Sequence, residues 1–353
     1  MNEISQIAKV NAVFVVKNEW PFLAVSISHT LTHYAQKVLV IDTGSNDGTF
    51  RGVRVLQSLW GDRIELYRCN QEVYDQTPLT NLLLEISSSH QAEWTMVLDA
   101  DEFFVHENYV EFLTKLSQTE DHWGSYAIRV INFIVGEDHD DSRLEAFENI
   151  TYQINGQPLS HNSDEEYTRQ VLCGEIPLQT RITADKILVR NSKDNFLAQG
   201  AHQVVFGDGK LWERHDSTVA SGSYLGGMIC HLPYTTQSRL ENRKTRNFFD
   251  QQDTTYRLNV NELKNLPISE LRSKAVLSSE NKERWLQAGT IIENSEFRKT
   301  LLPVIEKVKD IWPELIRASY NPEDEHSFPD ALDLRLVSKL IRRYHSRAEY
   351  LWT

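Results

Sequence analysis

Four short strand-like runs, AVFVV (12–16), VLVI (38–41), IELY (64–67) and TMVL (95–98), fall within the first hundred residues, and turn or helix signals separate each from the next. Brief strands of this kind, joined by helices, settle into a mainly parallel sheet covered on both faces. The expected class is therefore α/β, with a central sheet flanked by helices. Ligands of such sheets collect outside the carboxyl ends of the strands. The polar segments directly after the strands then carry most of the functional weight: Lys17-Asn18-Glu19, the run DTGSNDGT (42–49), and Asp99-Ala100-Asp101-Glu102.

Beyond residue 125 the pattern changes. Residues 126–135, 182–189 and 202–206 read as strands that extend the sheet in mixed or antiparallel fashion, with an acidic irregular stretch at 136–166 between the first two. From about 238 the signal becomes helical, punctuated by Pro267, Pro303, Pro313, Pro322 and Pro329. A division into a sheet-containing domain (1–237) and a helical region (238–353) follows. The chain has 353 residues, with 37 basic against 50 acidic side chains and a net charge of -13. That balance excludes a general nucleic-acid binder, which needs a basic face for phosphates. Cys69, Cys173 and Cys230 are odd in number and far apart. They suit neither a disulfide framework nor a zinc knuckle, and a reducing, cytoplasmic setting is expected. No run has the length of a membrane span, and the apolar run at 12–16 is strand-sized rather than a signal peptide.

The segment VLDADEFF (97–104) is the most chemically explicit. An extended chain turns Asp99 and Asp101 to the same side. Two carboxylates at one strand end repel unless a cation lies between them. A hard divalent ion, Mn2+ or Mg2+, suits oxygen ligands and would bridge to diphosphate oxygens. An exposed acidic turn is the plainer alternative for a bare Asp-x-Asp. In the second loop Gly44 and Gly48 permit tight turns. Asp47 and Ser45 suit backbone capping, whereas Asp42 suits a ribose or base N–H. Neither a GxGxxG fingerprint nor a P-loop is present.

Taken in order, VVKNE, IDTGSNDGT and MVLDADEFF resemble the family 2 glycosyltransferases, more narrowly the subgroup with a DADEF metal motif. The resemblance covers about the first 245 residues. It implies a GT-A fold, a Rossmann-like sheet with a helical extension, and inverting transfer of a sugar from a nucleotide diphosphate sugar, UDP-linked, to a glycan or lipid-linked hydroxyl. It also implies that Glu19 and Asp42 hold the nucleotide, with Lys17 and Asn18 on the same edge and Asn81 from the helix ahead of the metal strand. Asp99 and Ala100 would meet the donor, and Asp99 and Asp101 the cation. Downstream, MICHLPYTTQSRLENRK (228–244) is similar to the subgroup's second histidine segment, which implies His231 as a third metal ligand. Lys244, in the basic cluster with Arg239, Arg243 and Arg246, would then face the diphosphate. Gln237 stands where that pattern has Arg, and DQTPLTN (75–81) lacks the basic residue usual there.

Inversion needs an acidic base on the far side of the sugar. GEDHDD (136–141), NSDEEY (162–167) with Asp164, and CGEIP with Glu175 are the candidates, each also readable as a solvated acidic loop. Two other functions compete: a sugar-binding scaffold that has lost turnover, and a nucleotidyltransferase, which would normally show a Gly-rich basic loop after the first strand. The closing segment pairs an apolar stripe (Leu336, Leu340, Ile341, Tyr344) with Arg335, Lys339, Arg342, Arg343 and Arg347. It reads first as a helix docked on the core and second as a peripheral membrane contact.

Overall fold

The structure is a computed structural model that describes residues 7–69, 76–119, 124–155, 164–180, 185–191, 196–197, 204–205, 219–221, 225–245, 263 and 265–318. The chain divides into two compact units. One comprises 1–130, 184–229 and 306–353, the other 131–183 and 230–305.

In the first unit β1 (Val10–Val16), α1 (Phe22–His33), β2 (Lys37–Asp42), α2 (Thr49–Trp60), β3 (Ile64–Arg68), α3 (Gln76–Ser89) and β4 (Trp94–Val97) follow in succession. The four strands are parallel in the order β3-β2-β1-β4. All seven residues of β1 are buried, as a strand covered on both faces requires. Val13, Val15, Leu39, Ile41 and Val97 pack with Leu79, Leu82 and Leu83 of α3. Alternation leaves the equally buried Phe14, Val38 and Val40 for the opposite face, and α1 and α2 make contact with β2 and β3.

The order reverses at β1, with β2 and β3 built out on one side and β4 on the other. That reversal creates the crevice where doubly wound sheets bind ligands. Beyond β4 lies Lys186–Arg190, antiparallel to it. After Glu102–Val105 (β5) comes Ser125–Ile128 (β6), antiparallel to Lys186–Arg190, and Val219–Ser221 closes the edge parallel to β6. The sheet is thus mixed, and the class is α/β as expected. Residues 126–135 do not form one strand: β6 stops at Ile128 and a separate strand runs Val130–Ile134.

Trp20 anchors the first crossover. Its indole N–H donates to the Leu315 carbonyl at 2.8 Å, in the helix Trp312–Ala318, and its ring fills the space where a Cβ on Gly52 would sit. Any larger residue at 52 would collide with the ring.

The second unit contains the antiparallel set Val130–Ile134, Tyr152–Ile154 and Ile291–Glu293. Tyr167, Val171, Ile176, Leu178, Leu240, Leu263, Leu271 and Ala275 form a separate core there. All three cysteines are free; Cys69 and Cys230 are buried and Cys173 is exposed. Among the described residues no helix is long and apolar enough to cross a membrane. The amphipathic segment at 335–347 lies outside the described residues.

Candidate functional site

Two loops at the carboxyl end of the parallel sheet are laced together. Asn18 takes a left-handed conformation (φ 57°), which an Asn side chain tolerates. Its backbone N–H donates to Ser45 Oγ at 2.9 Å, and its Oδ1 accepts from the Asn46 N–H at 2.8 Å. The Glu19 N–H donates to Thr49 Oγ1 at 3.1 Å and the Trp20 N–H to Asp47 Oδ2 at 2.9 Å. Asp47 Oδ1 accepts from both the amide and the hydroxyl of Thr49. Burial raises the Asp47 carboxyl above its ordinary value, and these hydrogen bonds pull it back. Asp47, one residue ahead of the Gly48 cap, thus satisfies the first N–H of α2 and clamps the first loop. Asp47→Ala is expected to cost about 2 kcal/mol, the upper range for loss of a capping side chain, read as a lowered denaturation midpoint.

Asp42, expected to meet a ribose or base N–H, also shapes its own turn. It is fully buried, and its Oδ1 accepts from the Gly44 and Ser45 amides at 3.0 Å each. Arg68 Nε lies 4.0 Å from the same oxygen, itself buried. Asp42 Oδ2 is buried with no hydrogen-bond partner among the described residues. One oxygen shapes the turn, and the other is a buried acceptor left unsatisfied, a costly state that calls for a donor.

The third corner is acidic. Asp99 Oδ1 accepts from Gln76 Nε2 at 2.9 Å, and Oδ2 pairs with Lys186 Nζ at 2.8 Å. Glu102 Oε2 accepts from the Asp99 N–H at 2.9 Å and lies 3.2 Å from the same ammonium. Lys186 is buried, and continuing the antiparallel pairing of Met96 with Leu188 brings it level with Leu98, one residue before Asp99. Burial works against the lysine's charge, but Asp99 and Glu102 more than offset this, so the ammonium stays protonated. Burial would likewise raise the Asp99 carboxyl, yet Lys186 and Gln76 hold it below the usual range although Asp101 opposes them. Burial pushes Glu102 up to about 8, with Asp99 and Asp101 adding to the shift and Lys186 countering it. The corner gathers the carboxyl groups of Asp99, Glu102 and the buried Asp101 around the Lys186 ammonium, an excess of acidic groups among the described residues.

That acidic excess suits a divalent cation. Among the described residues no group of three His, Cys, Asp or Glu side chains forms a ligand set. Mg2+ and Mn2+ sites on phosphate substrates need no such cage, because one or two carboxylates combine with phosphate oxygens and water. Asp101 and Asp99 fit this pattern.

The other expected residues are placed as follows. Lys17 and Glu19 are partly buried in the first loop. Ala100 is buried in the turn after β4. Asn81 Nδ2 donates to the Leu197 and Thr77 carbonyls and its Oδ1 accepts from the Leu197 N–H, so the side chain pins the strand Phe196–Leu197. In the second unit His231 Nδ1 lies 2.7 Å from Asn132 Oδ1, and Asn132 Nδ2 donates to the Gln179 carbonyl. This contact, with Asn132 itself held by the Gln179 carbonyl, fixes the orientation of the imidazole ring. Glu175 is exposed, and Arg169 grips both its oxygens, at 2.8 and 3.1 Å. Asp164 opens the helix Asp164–Leu172 and Lys244 lies in Gln237–Thr245. The side chains of Asp164, Arg243 and Lys244, and the whole of Arg246, lie outside the described residues.

The GEDHDD run does not behave as one solvated loop. His139 and Asp141 are buried, and Asp141 accepts from Thr235 Oγ1 at 3.0 Å while its other oxygen meets His139 Nε2 at 3.0 Å. Sequence reading missed both this network and Lys186. The only signal for Lys186 was a lysine opening an apolar strand, which reads as a solvated strand end.

No protein-family model and no curated protein sequence matches the chain. Among solved structures it is similar to S. aureus TarS 1-349 at 12% identity, over 95% of this chain and 91% of that one, with a TM-score of 0.33. The same fragment in complex with UDP matches at 11% identity over the same shares, TM-score 0.34. GalNAc-T7 with UDP, GalNAc and Mn2+ matches at 11% identity over 87% of this chain and 58% of that one, TM-score 0.35.

Proposed function

We propose that the protein is a glycosyltransferase that takes its sugar from a nucleotide diphosphate donor, UDP-linked, with Mn2+ or Mg2+ held at Asp101 and Asp99. The observation that carries this reading is the acidic corner at the sheet's reversal point, where Asp99, Asp101 and Glu102 gather about Lys186, in the same unit as two laced loops that hold a buried, unsatisfied Asp42 oxygen. Asp42 Oδ2 accepts a hydrogen bond from the nucleoside. Glu19 and the half-buried Lys17-Asn18 backbone border it. The cation, when bound, offsets negative charge building on the departing diphosphate.

The reaction is a single displacement: the acceptor hydroxyl oxygen bonds to the anomeric carbon, the bond to the diphosphate oxygen breaks, and an acidic side chain takes the hydroxyl proton. The acceptor is a glycan or lipid-linked hydroxyl. Glu175 and Asp164 are the sequence candidates for the base. The ion pair with Arg169 gives Glu175 a structural use, which makes Asp164 the more interesting of the two to mutate.

A thermal-shift screen of nucleoside diphosphates with Mn2+ or with EDTA tests the reading. UDP with Mn2+ is expected to stabilise by about 2.7 kcal/mol at a hundredfold excess over Kd, which for a unit of this size raises Tm by roughly 5–10 °C. No shift with any nucleotide and either metal would remove the donor site.

A further inference from the structure

The loop that joins β1 to α1 is anchored through Trp20. Lys17, Asn18 and Glu19 are half-buried, whereas Trp20 is buried. The backbone N–H groups of Asn18, Glu19 and Trp20 donate to Ser45, Thr49 and Asp47, which fixes one loop against the other. The Trp20 indole adds a fixed point outside both loops: its N–H donates to the Leu315 carbonyl, 295 positions away. That carbonyl lies in the last turn of the helix Trp312–Ala318, where its helical partner would be position 319, beyond the helix end. The indole supplies it with a donor. The ring itself lies against α2, so close that a Cβ on Gly52 would come within 2.1 Å of it. C-terminal residues hold α2 at its other end as well. The Lys307 ammonium sits 4.9 Å from the centre of the Trp60 ring, and the Trp60 indole N–H donates to Ser28 Oγ in α1. Residues 306–318 thus belong to the unit that contains the two laced loops.

We infer that Trp20 is a positioning residue for donor binding, which ties the loop bordering the nucleoside to the helix Trp312–Ala318 and so holds Lys17, Asn18 and Glu19 in the geometry that the nucleotide meets. The inference rests on the donor-site reading above and deepens it. A ring packed directly on a glycine and bonded to a helix carbonyl has little freedom, and Glu19, its neighbour in the chain, shares that restraint. A loop already held in its binding geometry loses less freedom when the nucleotide arrives, which tightens binding. The C-terminal helix therefore acts on donor affinity through Trp20.

UDP titrated calorimetrically into the full chain with saturating Mn2+, well below the melting temperature of each variant, provides the test. Trp20→Phe keeps an aromatic ring and removes the indole N–H. It is expected to weaken UDP binding about tenfold and to speed hydrogen exchange at the Asn18 and Glu19 amides by a similar factor. A lowered Tm with native UDP affinity would make Trp20 a structural residue only and overturn the inference. Gly52→Ala pushes on the ring from the other side and should also weaken UDP about tenfold, although the indole is retained. If Trp20→Phe fails to fold, Gly52→Ala alone decides: unchanged affinity there overturns the inference. In Trp20→Phe/Gly52→Ala the clash is gone, so the loss should match that of Trp20→Phe and not multiply. A multiplied loss would mean that α2 acts on the donor independently of Trp20, which also overturns it. Absence of UDP binding in the native chain would remove the donor site itself, and the inference with it. Native binding that neither variant alters is the failure of the inference alone.

Discussion

Asp101→Asn is expected to lower metal-dependent donor hydrolysis and sugar transfer by about a hundredfold or more, equivalent to roughly 3 kcal/mol of transition-state stabilisation. Asn preserves the shape of the side chain and loses its charge. Without ligand the variant should be at least as stable as the native protein. Asp101 raises the carboxyls of both Asp99 and Glu102 by repulsion, against the pull of Lys186 on both. Removing a like charge relieves that strain, so the unliganded melting temperature holds or rises while the increment from UDP with Mn2+ disappears. This opposition of stability and activity separates a ligand site from a structural cluster. A structural acidic turn would lose stability and leave nucleotide binding alone. Paired melts with and without UDP and Mn2+, beside a hydrolysis assay, read both halves.

The parts of this arrangement that were legible beforehand share a cause. The strands at 12–16, 38–41, 64–67 and 95–98 and the polar segments behind them are local signals, and a parallel sheet carries such segments to one edge. Asp47 was readable as a cap because its partners, Thr49 and the neighbouring loop, follow from turn chemistry within a few residues. What was hidden depends on pairing across long separations. Lys186 meets Asp99 only because residues 188–190 pair antiparallel with 94–96. Asn81 is committed to Leu197, 116 positions away, so its apparent place in a donor motif gave no hint of its bonds. The burial of His139 and Asp141 likewise depends on Thr235, 94 residues from Asp141. Charge runs default to solvent when nothing local opposes that reading, and here the opposing contact came from elsewhere in the chain.

Arg68→Met is expected to produce the largest loss of stability among single substitutions around the loops, about 3–5 kcal/mol, because it strands the buried Asp42 carboxylate. Arg68 and Asp42 have side-chain exposures of 1% and 0%, with Nε 4.0 Å from Oδ1. The guanidinium also lies 5.0 Å over the Phe50 ring, at the start of α2. Methionine keeps much of the aliphatic volume, so the change acts mainly on charge. The Gly44 and Ser45 amides continue to serve Oδ1 but carry no compensating net charge. A drop in Tm of roughly 10 °C is the expected reading for a unit of this size. The double variant Asp42→Asn/Arg68→Met should recover more than half of that loss, since both buried charges are then gone and the amide oxygen can still accept from the turn. Equal destabilisation of the single and double variants would show that Arg68 acts through Phe50 packing and not through Asp42. The double variant should also lose most of the UDP-induced shift despite its recovered stability. Asp42 would then stand as both the keystone of the turn and the acceptor for the nucleoside.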